Sequence, residues 1–334
     1  MINVGVIGFG YWGPNIIRNL IMIKETSVRA IWDRDPDALK RVQEQYPHIT
    51  LAKSEKELIE AKDIDAVAII TPVSTHYPFA KKALLAGKHV FIEKPFTQTT
   101  QEAQELIDIA QKNKCIIMVD HTFIFTGAVQ KIKELIDHDE LGRLYYYDST
   151  RVSLGLIQDD VNVIWDLAPH DFSIMDYVIK NKPLAICAQG ADHLGSGREN
   201  MAYITVYSED SFIAHISANW LSPVKIRTAI IGGEKKMLLW DDLEADEKIK
   251  IYDKGITIDN QEGLYRLLVD YRSGDMRSPR LDRTEALKRE LIYFAQCIAK
   301  NETPINDGQA GLRVVRMLEL ADQSLKNNGQ LLDI

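Results

Sequence analysis

Three polar residues stand out because their types and spacing could move a proton. Lys94 closely follows the apolar run His89–Ile92, and a lysine there could donate to a hydroxyl or ketone oxygen. Asp166 and His170 are spaced i, i+4, so on a helix they would share one face. Histidine exchanges protons near neutral pH, and the aspartate could orient it or hydrogen-bond a substrate. The alternatives are a surface lysine in a loop and a pair of residues that only stabilises its helix.

A glycine turn, GFGYWG, follows the apolar run Ile2–Ile7 and opens a helical pattern, which is typical of dinucleotide-binding turns. Its glycines allow a tight turn, a close approach to a pyrophosphate, and close packing of helix on strand. Asp33 ends the next apolar run, where a carboxylate would accept hydrogen bonds from the adenosine ribose and repel a 2′-phosphate. The sequence therefore predicts NAD rather than NADP, although Arg34 could bind a 2′-phosphate. The predicted cofactor contacts here are Gly8, Phe9, Gly10, Tyr11, Trp12, Gly13, Asp33 and Arg34.

Short apolar runs alternate with helical patterns in the first part of the chain. Strands that are apolar on both faces and separated by helices predict a doubly wound parallel Rossmann sheet covered on both sides. Ligands of such sheets bind at the carboxyl ends of the strands, where Lys94 and His121 would lie. The predicted strands are Ile2–Ile7, Val28–Trp32, Ala66–Ile70, His89–Ile92 and Ile116–Val119.

The pattern changes after Val119. Longer β-type runs with short connections predict an α+β domain with a mostly antiparallel, open sheet. We predict a cofactor-binding domain at 1–120 and a domain for substrate binding and oligomerisation at 121–334, with the last helix packing on the first domain. The exposed face of the open sheet predicts a homodimer or homotetramer. The predicted helices of this part are Gly127–His138, Asp166–Ile179, Thr284–Lys300 and Gly308–Asn327.

Three stretches together resemble one family of oxidoreductases. They are TPVSTHYPFAKKALLAGKHVFIEKP at residues 71–95, WDLAPHD at residues 165–171, and the tail around Thr303–Val315. With the glycine turn, they resemble the glucose-fructose oxidoreductase/inositol dehydrogenase (Gfo/Idh/MocA) family over nearly the whole chain. The resemblance implies an NAD-dependent dehydrogenase that acts on a sugar CH–OH group. The chain departs from the family at Val163–Trp165 and at Ala168, where glycines are common, and these changes alter the predicted pocket shape.

The resemblance also implies a catalytic set of Lys94, Asp166 and His170. A substrate carbon would pass a hydride to the nicotinamide, while Lys94 or His170 takes the hydroxyl proton. His121 would contact substrate or nicotinamide, or would simply pack at the strand end. The predicted substrate contacts are Lys94, His121, Trp165, Asp166, His170, Arg277 and Arg280.

The turn Thr71-Pro72 is implied to line the cofactor, and Pro95 to follow a cis peptide bond. His76 belongs either to the cofactor site or to a helix cap. The further cofactor contacts predicted in this part of the chain are Thr71, Pro72, His76, Glu93 and Lys94.

Two segments, VDHTFIFTGAVQKIKELI and VNVIWDLAPHDFSIMDYV, resemble a branch of the family associated with nucleotide-sugar modification. That branch implies oxidation of a sugar 3-hydroxyl. Five arginines before Thr284 fit this substrate, because guanidinium groups bind diphosphates well. The alternative is a solvated or subunit-facing loop. These arginines are Arg266, Arg272, Arg277, Arg280 and Arg283. The competing functions are a free polyol or inositol dehydrogenase, a 3-keto-sugar reductase, and a non-catalytic NAD-binding sensor.

Bulk properties argue against other classes of protein. The 334 residues carry a net charge of −8, which argues against a general nucleic-acid or anionic-membrane binder. No signal-peptide pattern is visible in the first residues and no apolar run is long enough to predict a membrane span, so we expect a cytoplasmic protein. Cys115, Cys187 and Cys297 lack metal-site spacing, which predicts reduced thiols and no metal. Cys115 and Cys187 are expected in the core because they lie in apolar runs.

Overall fold

The structure is a computed structural model that describes residues 1–155, 160–253, 255–257, 270–272 and 274–334. The chain forms two compact units. Unit 1 comprises Met1–Phe125 and Thr284–Glu319, and unit 2 comprises Thr126–Arg283 and Leu320–Ile334. This division differs from the predicted boundary at residue 120, because the chain after residue 283 returns to unit 1 for 36 residues, from 284 to 319.

Unit 1 is built on a parallel sheet of six strands. The strands are β1 (Ile2–Ile7), β2 (Thr26–Trp32), β3 (Thr50–Leu51), β4 (Ala66–Ile69), β5 (His89–Ile92) and β6 (Ile117–Val119). Their order is β3-β2-β1-β4-β5-β6, and every neighbouring pair is parallel. This is the strand order of a doubly wound dinucleotide-binding sheet, so the predicted fold class is confirmed. The sequence did not predict β3, because two residues are too short for a period.

Helices cover the sheet of unit 1. They are α1 (Gly13–Met22), α2 (Pro36–Gln45), α3 (Glu55–Glu60), α4 (His76–Leu85) and α5 (Thr100–Asn113). Capping side chains define several starts. The Ser54 side chain accepts a hydrogen bond from the Glu57 backbone N–H, and Thr99 accepts one from Glu102.

A helix from the end of the chain completes the core of unit 1. The last two helices are α8 (Ala286–Lys300) and α9 (Gly308–Lys326). Leu291, Phe294 and Cys297 of α8 are buried in the same cluster as the strand residues Val4 and Val6. Their apolar face therefore explains why this part of the chain belongs to unit 1.

The expected core positions of Cys115 and Cys187 were wrong. Cys297 is buried, whereas Cys115 and Cys187 are partly exposed. Cys115 follows the end of α5, and Cys187 lies between the buried residues Ile186 and Ala188 of a strand, where alternate side chains point to opposite faces.

Unit 2 contains a mixed sheet of nine strands. They are β7 (Leu144–Val152), β8 (Pro183–Ala191), β9 (Met201–Ser208), β10 (Ile213–Asn219), β11 (Ile226–Gly233), β12 (Met237–Asp241), β13 (Ile249–Tyr252), β16 (Met276–Arg277) and β17 (Leu332–Asp333). The order is β16-β13-β12-β11-β7-β10-β9-β8-β17. Only the β7–β10 pair among these strands is parallel, so the predicted, mostly antiparallel sheet is confirmed. Two further strands, β14 (Gly255–Thr257) and β15 (Asp270–Arg272), pair with each other.

Unit 2 also contains α6 (Gly127–Asp137), α7 (Val163–Val178) and the end of α9. Helix α7 begins three residues before the predicted start, because the Asn162 side chain accepts a hydrogen bond from the Trp165 backbone N–H and caps the helix. The expected arginine loop is partly strand, since Arg272 ends β15 and Arg277 ends β16. Within the described ranges, no helix combines the length and the apolar sequence that a bilayer span requires.

Candidate functional site

The glycine turn between β1 and α1 presents bare backbone at the carboxyl end of the sheet. Gly8 has a φ of +105°, and a Cβ there would lie 2.1 Å from the Ile70 carbonyl oxygen, so only glycine fits. At Gly10 a Cβ would meet nothing within 4 Å, so the space in front of this residue is open. A tight turn facing open space at a helix N-terminus is the cradle that a pyrophosphate needs.

Asp33 holds this turn from the end of β2. Its Oδ2 accepts a hydrogen bond of 2.6 Å from the Phe9 backbone N–H, and its Oδ1 accepts one of 2.8 Å from Asp35. An ionised carboxylate has about four acceptor positions, so capacity remains for ribose hydroxyls. Asp33 is thus both a support for the turn and a candidate ligand of adenosine.

A cleft of about 270 Å³ lies against the turn. Seven of the predicted cofactor residues line it, namely Gly8, Phe9, Gly10, Asp33, Arg34, Thr71 and Pro72. Tyr11 and Trp12 do not, and Tyr11 is 83% exposed. Gly13 is buried, and a Cβ there would lie 3.2 Å from the Gly8 carbonyl oxygen. The glycine cradle, the carboxylate and the cleft fit NAD. Arg41 and Phe79 also line the cleft, but no sequence signal pointed to them because they lie on separate helices.

Lys94 lies at the same end of the sheet as this cleft. Strands β4 and β5 are parallel neighbours, and Ile69 of β4 pairs with Ile92 of β5. Thr71 lies two residues after Ile69, and Lys94 lies two residues after Ile92. The Lys94 residue is partly exposed, and its backbone N–H donates a 2.9 Å hydrogen bond to Glu93 Oε2. The Lys94–Pro95 peptide bond is cis, as the resemblance implied.

His76 connects the cleft wall to the Lys94 turn. The residue is 1% exposed, and its ring lies 2.7 Å from the Thr71 carbonyl oxygen through Nε2 and 2.8 Å from the Pro95 carbonyl oxygen through Nδ1. It is not among the residues that line the cleft. Its ring therefore ties together the two strand-end turns that carry Thr71 and Lys94.

Buried acids lie behind the Lys94 turn. Asp120 is 2% exposed and Glu290, on α8, is 0% exposed. Burial, followed by the charge of Asp120, raises the pKa of Glu93 well above its ordinary value. We call Glu93, Asp120 and Glu290 the carboxyl cluster. No local sequence pattern links these acids, since about 170 residues separate Asp120 from Glu290 in the chain.

His121 is buried next to this cluster in the chain. It is 3% exposed, and burial together with the charge of Arg313 lowers its pKa to about 3. The ring is therefore neutral, so any contact with substrate or nicotinamide would be that of a neutral imidazole.

Helix α7 places Asp166 and His170 on one face, and both residues are partly exposed. The Trp220 indole Nε1 donates a 3.0 Å hydrogen bond to Asp166 Oδ2. Trp220 is 2% exposed and follows β10 directly. Nothing in the sequence linked it to Asp166, because the two residues meet only when β10 packs against α7. Trp165, the predicted substrate contact, is also partly exposed.

Asp171, the residue after His170, anchors α7 to β7. Its carboxylate accepts hydrogen bonds from Ser149 Oγ at 2.6 Å, Arg151 Nε at 2.8 Å and Tyr147 Oη at 3.1 Å. The side chains of Asp171 and Arg151 are 1% and 5% exposed. This buried ion pair fixes the helix that carries Asp166 and His170.

The arginines predicted to bind phosphate lie in several environments. Arg277 forms an ion pair with Glu140, and Arg283 forms one with Asp246. Arg280 is exposed. Arg266 and the Arg272 side chain lie outside the described residues. Phosphate binding by Arg277 or Arg280 stays a prediction.

The sheet order, the glycine cradle and Asp33 define an NAD-binding Rossmann oxidoreductase. The chain belongs to the Gfo/Idh/MocA family. The model of the oxidoreductase family with an NAD-binding Rossmann fold matches residues 2–121, and the model of the GFO/IDH/MocA C-terminal domain matches residues 129–238.

Several relatives span the whole chain. An uncharacterised oxidoreductase of Escherichia coli K12, YdgJ, is 33% identical over 99% of this chain and 98% of its own length. UDP-N-acetylglucosamine 3-dehydrogenase of Acidithiobacillus ferrooxidans is 26% identical over 93% of each chain. Its solved structure superposes with a TM-score of 0.82 at 25% identity and covers 98% of both chains. Myo-inositol 2-dehydrogenase of Thermotoga maritima is 22% identical over 97% of this chain and 96% of its own.

Proposed function

We propose that this protein is an NAD-dependent dehydrogenase that transfers a hydride between the C3 carbinol of a nucleotide sugar and nicotinamide. The observation that carries the dehydrogenase role is the connected pair of turns in unit 1, where the two ring nitrogens of His76 lie within hydrogen-bonding distance of the Thr71 and Pro95 carbonyl oxygens. It supports a lysine held in a fixed position at the end of the sheet that carries the cofactor cleft. The similarity to UDP-N-acetylglucosamine 3-dehydrogenase supports the nucleotide sugar.

The proposed roles follow from the chemistry of each side chain. Bound NAD would supply the nicotinamide that accepts the hydride from the carbinol carbon. Lys94 or His170 takes the hydroxyl proton as the C–O bond gains double-bond character. Asp166, held by Trp220, accepts a hydrogen bond from a sugar hydroxyl or from His170.

The test is a panel of substrates with the wild type and one matched pair of variants. NADH formation is measured with nucleotide sugars, free polyols and inositols. Lys94→Ala is expected to lower kcat by about a hundredfold or more while NAD affinity is retained, because proton transfer is lost and the cleft is not. Lys112→Ala, an exposed lysine of α5, is the control and should behave as the wild type. Full turnover by Lys94→Ala would refute the catalytic role.

The panel also separates the competing functions. Turnover of inositols alone would favour the second candidate, which the similarity to myo-inositol 2-dehydrogenase supports. Oxidation of NADH with a 3-keto sugar, but no reaction with the alcohols, would indicate a reductase. Tight NAD binding without turnover of any compound would indicate a non-catalytic sensor. A kcat/KM for NADP equal to that for NAD would contradict the preference expected from Asp33.

The sheet of unit 2 also supports assembly with a second copy of the chain. Tyr146, Ile213 and Tyr207 lie side by side on β7, β10 and β9, and all three are exposed. Exposed aromatic and aliphatic residues in register are typical of an interface. We therefore propose a homodimer or homotetramer, and a monomer in sedimentation analysis would refute it. The three unpaired cysteines support a cytoplasmic location.

A further inference from the structure

The carboxyl cluster lies where two strands of unit 1 end beside helix α8. Glu93 directly follows β5 and Asp120 directly follows the neighbouring β6, and the Asp120 backbone N–H donates to the Ile92 carbonyl at 2.7 Å. Glu290 reaches the same place from α8 and lies within hydrogen-bonding reach of Asp120. Asp120 is also within such reach of Glu93. Three carboxyl groups therefore meet behind the turn that carries Lys94.

The donors around the cluster are too few for three ionised groups. Asn306 Nδ2 donates to Glu290 Oε1 at 2.8 Å, and the Lys94 N–H donates to Glu93 Oε2. The Thr122 hydroxyl reaches both Asp120 and Glu290 but has a single proton, which it donates to Asp120 Oδ1. Within the described part of the chain, Asp120 Oδ2 and Glu290 Oε2 have no donor. A proton shared by these two carboxyl groups would provide the missing hydrogen-bond donor.

The charges near the cluster lead to the same conclusion. The positive charge of Lys94 acts to lower the pKa of Glu93, and the positive charge of Arg313 acts to lower the pKa of His121. Among the described residues, no group of acids, histidines and cysteines could hold a metal ion. Burial, followed by the nearby Asp120 charge, raises the pKa of Glu290 well above its ordinary value of 4.5. A bound proton can therefore reduce the negative charge of the carboxyl cluster.

We propose that Glu290 is a positioning residue for Lys94, because it shares a proton with Asp120 and the pair therefore places one negative charge instead of two beside Glu93, whose Oε2 accepts the Lys94 backbone N–H. Loss of the shared proton would leave three negative charges in contact and would push Glu93 and its turn away. The proposal rests on the proposed role of Lys94, but the shared proton can be tested without any substrate.

A shared proton determines how the stability of the folded chain changes with pH. In the unfolded chain Glu290 releases its proton near its ordinary pKa of 4.5, whereas in the folded chain it keeps the proton to higher pH. Between these two pKa values the folded state binds the extra proton, so stability is greatest below the window and falls as pH rises through it. Glu290→Gln replaces the shared proton with an amide N–H that cannot ionise, so it removes this loss.

The experiment compares the wild type with Glu290→Gln, Glu290→Leu and the control Glu302→Gln, an exposed glutamate of the same unit. Thermal unfolding is measured from about pH 5 to about pH 9. The Tm of Glu290→Gln minus that of the wild type should rise with pH by about 2–4 °C. Glu290→Leu should lower Tm at every pH, because Asn306 and Asp120 lose their partner. The control should follow the wild type.

The positioning role has two readouts of its own. The basic limb of the kcat profile should move to higher pH by about one unit or more in Glu290→Gln. The rate at which Lys94 is acetylated by acetic anhydride, relative to Lys112 and read by peptide mass spectrometry, should change about threefold or more in Glu290→Leu and return toward the wild type in Glu290→Gln.

The outcomes separate the two proposals. A Tm difference that does not vary with pH would refute the shared proton. A pH-dependent Tm difference with unchanged Lys94 acetylation in every variant would refute positioning. A wild type that oxidises no compound would refute the proposed function alone, since unfolding and acetylation need no substrate.

Discussion

Each unit buries acidic side chains beside its candidate functional residues, but the two units neutralise them differently. In unit 2 a single carboxylate, Asp171, faces the guanidinium of Arg151 and two hydroxyl donors. In unit 1 two of the three carboxyl groups, Asp120 and Glu290, meet each other, and neither has a cation bonded to it among the described residues.

The two arrangements respond differently to pH. An arginine stays charged at any pH at which the protein is folded, so the anchor of α7 is constant. A carboxyl pair holds a proton only below its pKa, so the support behind Lys94 varies with pH. The cost of substitution also differs. A change at Asp171 removes the carboxylate that faces the buried Arg151 charge, whereas an amide at Glu290 can replace a protonated carboxyl group.

The largest expected effect tests this contrast in unit 2. Asp171→Asn should lower the free energy of unfolding by about 3–5 kcal/mol, because the buried Arg151 loses the carboxylate charge of Asp171. Urea unfolding at neutral pH measures it. The matched carboxyl-to-amide change in unit 1, Glu290→Gln, should not destabilise the protein. A loss below about 1 kcal/mol for Asp171→Asn would mean that the two environments are equivalent.

A smaller effect concerns Asp166, which is partly exposed and bonded to the neutral donor Trp220. Trp220→Phe keeps an aromatic ring but removes the indole N–H. We expect kcat/KM to fall by at least about tenfold, since a hydrogen bond to a charged group contributes roughly 1.5 kcal/mol. Trp240→Phe, a buried tryptophan three strands away in the same sheet, is the control. Equal losses in both variants would indicate a packing effect.

The smallest effect comes from one donor of the Asp171 anchor. Tyr147→Phe should cost about 1 kcal/mol of unfolding free energy, because Asp171 keeps its bonds to Ser149 and Arg151. Burial and then the Asp171 charge raise the pKa of Tyr147 well above its ordinary value, so its hydroxyl keeps its proton at neutral pH. Tyr203→Phe, on the exposed face of β9, provides the baseline. A loss as large as that of Asp171→Asn would mean that the hydroxyl, and not the ion pair, dominates the anchor.

Much of unit 1 was predictable because its signals are local. Apolar runs, the glycine turn and Asp33 lie within about thirty residues of one another, and each has a physical reason that does not depend on the rest of the chain. Helix α7 begins at Val163, three residues before its predicted start at Asp166, because the Asn162 side chain caps it. The domain boundary could not be read from the sequence, because it depends on where the apolar face of α8 packs.

The amino-acid sequence was sufficient to predict the parallel sheet, the NAD cradle and the mixed α+β character of the second part. It also marked Lys94, Asp166 and His170 as candidates. Short-range periodicity and local motifs carry that information. Three contacts became visible only in the folded chain: His76 joins two turns, Trp220 donates to Asp166, and Glu290 meets Asp120. Those contacts join residues from separate elements, and their chemistry arises only when packing removes water from groups that would otherwise be solvated.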